Sequence, residues 1–206
     1  MKVVFTPSDE PYLGRELLYH YDQVISCCLE VNSKIAPLSH KLDLSSSQKM
    51  ACQVIPQSVS LALSIRELIR QGYLFGAHVL KRSLIERVMI LLYLNHFPDQ
   101  IGLWDDGWNH RSAPGLAKMF EKINKKVESG LDVKGHELTA SLNSLVHGKP
   151  DSAAWNSIVM GDGKFGSAPS KMLSSPALCD ELCADILPWL SVITAMMCAY
   201  FPEKNA

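Results

Sequence analysis

Three side chains with chemical potential stand at one spacing near the middle of the chain. His78, Arg82 and Glu86 occupy positions i, i+4 and i+8. On a helix that spacing puts an imidazole, a guanidinium and a carboxylate on one stripe, which Met89 and Tyr93 approximately continue. The residues around them are almost all apolar, so Arg82 and Glu86 are expected to sit partly buried. A buried charge needs a partner, because leaving it alone costs several kcal/mol, roughly. Two readings follow: a salt bridge that fixes helix packing, or a polar pocket that binds or reacts. A second pair, Asn143 and His147, lies one helical turn apart beside Thr139, with Gly148 immediately after. A histidine at a helix C-terminus is favoured by the helix dipole, and exposed there it can act as a base or ligand. The two constellations acquire meaning if they meet across an interhelical groove.

Other patterns carry less. Gly161, Gly163 and Gly166 match GxGxxG, but a dinucleotide fingerprint must follow a strand and open a helix within a βαβ unit. Cys179 and Cys183 are four apart, without the second pair that a zinc site requires, and read as core thiols. No metal and no cofactor is expected. Trp104, Trp108, His110 and Arg111 mark a loop able to serve as a lid or to close the end of a bundle.

The elements that must position these residues are helices. Apolar periodicity predicts them over about 10–33 with Asp9 as N-cap, 45–71, 73–96, 115–128, 133–147 and 175–200. Pro56 falls inside the second, which therefore bends there or begins there. The third is apolar on nearly every face and is expected to be the most buried. Between 149 and 174 the chain is rich in Gly, Ser and Pro, and a β-hairpin through Gly161-Asp162-Gly163 would suit it. The expectation is a single all-α domain over 1–206. It is a bundle of about five or six helices with a long irregular or hairpin-containing excursion before the last one.

Composition agrees with a globular chain of 206 residues, 47% hydrophobic and 20% charged. Twenty basic residues against 21 acidic ones argue against a large electrostatic footprint for nucleic acid. No signal-peptide pattern opens the chain, and the six cysteines show no CxxC, so reduced thiols and a cytoplasmic setting are expected. The apolar run from Ile186 to Phe201 is interrupted by Pro188, Ser191 and Thr194 and reads as a core helix, with no membrane partner.

The helix RSLIERVMILLYL, followed some fifty residues later by LNSLVHG, resembles a bacterial family of uncharacterised helical proteins. That family in turn resembles HEPN domains, the helical modules of toxin–antitoxin and other defence systems. The resemblance covers about residues 50–150. It implies a HEPN-like bundle, a homodimer and a defence or stress role, with RNA, a nucleotide or a cognate protein as partner. Active HEPN ribonucleases pair an Arg with a His on one late helix. Here His147 matches the His, but no Arg or Lys lies between Leu138 and Val146. The resemblance thus implies first a binding or regulatory module, acting through Arg82, Glu86, Asn143 and His147. A metal-independent ribonuclease is the alternative, with His147 as general acid or base, Arg82 stabilising the phosphorane-like charge and Glu86 orienting one of them. A third reading leaves all four residues structural.

Overall fold

Ser45 starts the longest early helix by a capping box. Its hydroxyl accepts from the Gln48 backbone N–H, and the Gln48 side chain accepts from the Ser45 N–H. The structure, a computed structural model, describes residues 10–40, 43–108, 113–127, 131–169 and 175–202. From that cap α2 runs Ser46–Arg70 without interruption, so Pro56 lies within the helix and does not begin it. Gly72, at φ +81°, turns the chain back into α3, Leu74–His96. These two helices pack antiparallel, with Arg87 Nε donating to Gln57 Oε1 at 3.0 Å.

Two more long helices close this pair into a four-helix core. α1 spans Glu16–Ile35 and α7 spans Pro176–Tyr200. Although they stand at opposite ends of the described chain, they pack side by side and parallel. Arg15 pairs with Asp180 at one end, and the Cys28 thiol meets Leu190 O at 3.5 Å and Thr194 Oγ1 at 3.0 Å further along. α7 also runs parallel to α3, from the Lys81–Asp185 pair to the Tyr200 hydroxyl, which donates to Leu91 O at 2.7 Å. Across the core the Tyr21 hydroxyl donates to Ala62 O at 2.8 Å. Arg66 gathers Glu10, at 2.6 Å, and Asp22. Burial opposes the Arg66 charge, but the two carboxylates hold it protonated above its ordinary value.

The remaining elements lie on α3. α5 (Leu116–Val127) is strongly amphipathic: Leu116, Met119, Phe120 and Ile123 are buried, and Lys125 and Lys126 close its last turn. It packs against α6 (Leu131–Val146), and both touch α3. The helices approach closely there, because a Cβ at Gly135 would stand 2.6 Å from the Phe120 side chain. The bundle has seven α-helices among the described residues, where the sequence predicts five or six. The addition is α4, the five-residue Ile101–Asp105, inside the segment read as a tryptophan loop. It forms because Pro98 opens a 3-10 turn that leads directly into it, and Ile101 is buried. Asp9, His110 and Arg111 lie outside the described residues.

After α6 a 3-10 segment (Pro150–Asn156) leads to β1 (Ser157–Met160) and β2 (Lys164–Ser167), an antiparallel hairpin. Asp162 and Gly163 have φ of +61° and +71°, the left-handed turn that matches the twist of paired strands. The GxGxxG match is therefore a hairpin and its turn. α7 is, among the described residues, the helix long and apolar enough to cross a membrane by length and composition, with a third of its most apolar window buried. Its stripe of Ile186, Leu190, Ile193 and Met197 is 0% exposed within the core.

Candidate functional site

α3 is the helix on which the candidate residues converge, and its polar groups differ sharply in depth. His78 is 4% exposed, and its ring lies against Trp155 from the 3-10 segment, with centroids 3.8 Å apart and planes at 38°. Its Nδ1 is buried without a hydrogen-bond partner. Burial, reinforced by the nearby charge of Lys81, holds the imidazole neutral and lowers its pKa to about 3. Lys81 is deeper still, at 3% exposed, and its ammonium reaches Asp185 of α7 at 2.5 Å. Asp185 itself is exposed, so the pair sits at the edge of the core with its cation inside.

Arg82 and Glu86 are part-buried on the next stripe, as the apolar surroundings predict, with 3.9 Å between the Arg82 guanidinium and Glu86 Oε1. Glu86 Oε2 also lies 4.0 Å from Arg87. Both separations are long for an ion pair, so Glu86 leaves part of the Arg82 charge uncommitted. Arg82 Nε is buried and has no acceptor. On the neighbouring helix α6, Asn143 is half-buried and its Oδ1 has no donor. His147 follows one turn later, its backbone N–H donating to Asn143 O at 3.0 Å. Its side chain is exposed just beyond the helix end, where Gly148 at φ +63° turns the chain away.

The structure thus brings Arg82 to Glu86 within one helix and Asn143 to His147 within another, and it packs the two helices together. No hydrogen bond or ion pair joins His147 to Arg82 or Glu86 among the described residues. No family model, no curated protein and no solved structure matches this chain. The geometry stands alone.

Three participants in this layer escape the spacing argument applied to Arg82 and Glu86. Lys81 is the buried charge of α3. Its helical neighbours Ala77, Leu84 and Ile85 are all buried, a sequence signal that points to depth more directly than the spacing of Arg82 does. Asp185 stands at the edge of the apolar run of α7, where a carboxylate facing another helix has no local signature. Trp155 is 7% exposed, the buried aromatic of a Gly- and Ser-rich segment whose Phe165 is exposed, which marks its 3-10 turn as anchored. The thiols of Cys179 and Cys183 are buried and hydrogen-bonded to one another, a bond that together with burial pushes Cys183 well above the ordinary thiol range. Among the described residues no group of three or more His, Cys, Asp or Glu is placed to hold a metal ion.

Proposed function

We propose that this protein is a binding or regulatory module of the HEPN-like kind, acting in the prokaryotic cytoplasm through the polar seam between α3 and α6, and that its ligand is a nucleotide. The observation that carries this reading is the pair of orphaned atoms on the two packed helices: Arg82 Nε, a donor, and Asn143 Oδ1, an acceptor. Roughly nine in ten buried polar atoms of a folded protein have a partner, and those without one mark where a ligand or ordered water belongs. A nucleotide offers both what they lack, phosphate oxygens for the guanidinium and base or ribose donors for the amide oxygen. Arg82 is suited to the phosphate because its hold on Glu86 is loose. The defence or stress role rests on the resemblance alone.

Titration with fluorescent adenine and guanine nucleotides tests the proposal. Saturable binding by the wild-type protein, weakened about tenfold by Arg82→Ala or Asn143→Ala in line with roughly 1.4 kcal/mol for a charge-assisted or buried hydrogen bond, supports it. Equal binding by wild type and both variants removes the seam as the site. The exposed side chain of His147 favours a second reading, ribonuclease action with His147 as general acid or base and Arg82 opposite the developing charge. Incubation with a mixed RNA pool separates the two. Degradation by the wild type and not by His147→Ala selects the nuclease, and equal RNA survival with both proteins selects the binding module.

A further inference from the structure

The carboxy-terminal end of α3 carries a cluster in which donors outnumber acceptors. Tyr93 is its hub: it is 0% exposed, and the rings of Phe97 and Trp108 lie 4.9 and 6.1 Å from its own, centroid to centroid. Lys122 of α5 reaches the same ring. Its ammonium stands 5.4 Å from the centroid and donates to the Tyr93 hydroxyl oxygen at 3.0 Å. Because that oxygen accepts from Lys122, the phenolic proton is left to donate, and it has no acceptor among the described residues. Trp108 Nε1, which can only donate, is buried with no partner either.

The charge is equally one-sided. Two other lysines of α5 are accounted for: Lys125 pairs with Glu121 one turn back, and Lys126 donates to His96 O at the carbonyl end of α3. Lys122 is part-buried, and among the described residues no carboxylate stands within ion-pair distance of its ammonium. Asp99, Asp105 and Asp106, the acidic residues between α3 and Trp108, are exposed, and none of them pairs with it. The ring faces of Tyr93 and Phe97 offset only part of such a charge.

We propose that this cluster is a binding site for a small oxyanion, a phosphate or carboxylate group held by Lys122 Nζ, Tyr93 Oη and Trp108 Nε1. An oxyanion accepts at every oxygen and carries the charge the site lacks, so one ligand answers all three groups. A water molecule would satisfy the donors and leave Lys122 uncompensated. The rings of Tyr93, Phe97 and Trp108 exclude water from one side, which strengthens the attraction between the ammonium and an anion. The site is separate from the α3–α6 seam. Eleven residues of α3 part Tyr93 from Arg82, roughly 16 Å along the axis, and the two sites share no residue. Oxyanion binding and nucleotide binding at the seam therefore succeed or fail independently.

Indole N–H NMR spectra of the full chain test the site, with inorganic phosphate or acetate added in exchange for chloride at constant ionic strength. Of the four tryptophan signals, the one lost in Trp108→Phe is expected to move downfield and to saturate with a midpoint below about 10 mM. Lys122→Gln is expected to weaken this response about tenfold or more, and Tyr93→Phe severalfold. Lys164→Gln removes the same charge from the exposed hairpin and is expected to leave the response unchanged. Thermal melting confirms that each variant folds. Lys122 is only part-buried, so its variant carries the test if the buried Tyr93→Phe does not fold. A response to phosphate alone assigns a phosphorylated ligand, to acetate alone a carboxylate, and to both an oxyanion of either kind. A Trp108 signal that stays in place, that fails to saturate in that range, or that moves equally in Lys122→Gln and the wild type overturns the proposal.

Discussion

α3 and the β1–β2 hairpin solve opposite problems. α3 is buried nearly all round, and the groups that sit uneasily there are polar: His78, Lys81 and the Nε of Arg82. The hairpin is exposed nearly all round, and the groups that sit uneasily there are apolar: Val159, Met160 and Phe165. Each region carries residues its surroundings would not select for stability. In α3 the cost is met within the chain for Lys81, by Asp185, and left open for Arg82. In the hairpin it is not met within the chain at all. Misplaced polarity inside points to a ligand, and misplaced apolarity outside does not by itself name a partner.

That contrast can be broken most forcefully at Lys81. Asp185→Ala strands a cation that is 3% exposed and is expected to lower stability by about 3 kcal/mol in urea denaturation. Replacing both partners, Lys81→Met with Asp185→Leu, is expected to be neutral or stabilising, since the pair then leaves no uncompensated charge. A double variant as unstable as Asp185→Ala would mean that the pair does more than balance charge.

His78 gives the next effect, and its sign follows from its depressed pKa. Unfolded, the imidazole takes up a proton near pH 6.5; folded, it does so only near pH 3. The unfolded chain therefore binds more protons between those values, and stability falls as pH drops from about 6.5 toward 3. At pH 5 the loss relative to pH 7.5 amounts to about 2 kcal/mol. His78→Phe keeps a ring against Trp155 and is expected to flatten this part of the stability profile. If the wild type and the variant show the same pH dependence, His78 is not the group responsible.

Gly135→Ala probes packing beside α3. Its new Cβ collides with Phe120, and the crowding, less the gain in helix propensity, is expected to cost about 1–2 kcal/mol. The smallest effect belongs to the hairpin, where Val159→Ser/Phe165→Ser should change the stability of a single chain by less than about 0.5 kcal/mol. A large loss there would show the hairpin to be folded back into its own core.

Much of this fold is legible in the sequence because helices announce themselves locally. The Ser45 cap, the Gly72 turn and the amphipathic stripe of α5 depend on residues within a few positions of one another. The hairpin is legible for the same reason, through Gly161-Asp162-Gly163. α4 is not, because five residues give no periodicity to detect, and its burial depends on helices distant in sequence. The candidate residues divide in the same way. Arg82 with Glu86, and Asn143 with His147, are one-turn relations and follow from spacing. The Lys81–Asp185 pair spans 104 positions and the His78–Trp155 stack joins helix to loop, so both appear only once the helices are packed.

The parallel seam of α1 and α7 bears on how the chain is made. Contacts such as Cys28 with Thr194 close loops of more than 160 residues, whereas α2 with α3 closes a turn of three. On the ribosome the α2–α3 pair closes at once, while α1, tied to α2 through contacts such as Tyr21 with Ala62, waits with Cys28 uncovered until residues 176–200 have emerged. A nascent chain stalled near residue 170 is expected to be cut readily by protease within α1, and one stalled well beyond residue 206 on a linker to resist. Between those two lengths the apolar face of α1 is open to proteases and chaperones, because α7, which covers it, has yet to emerge.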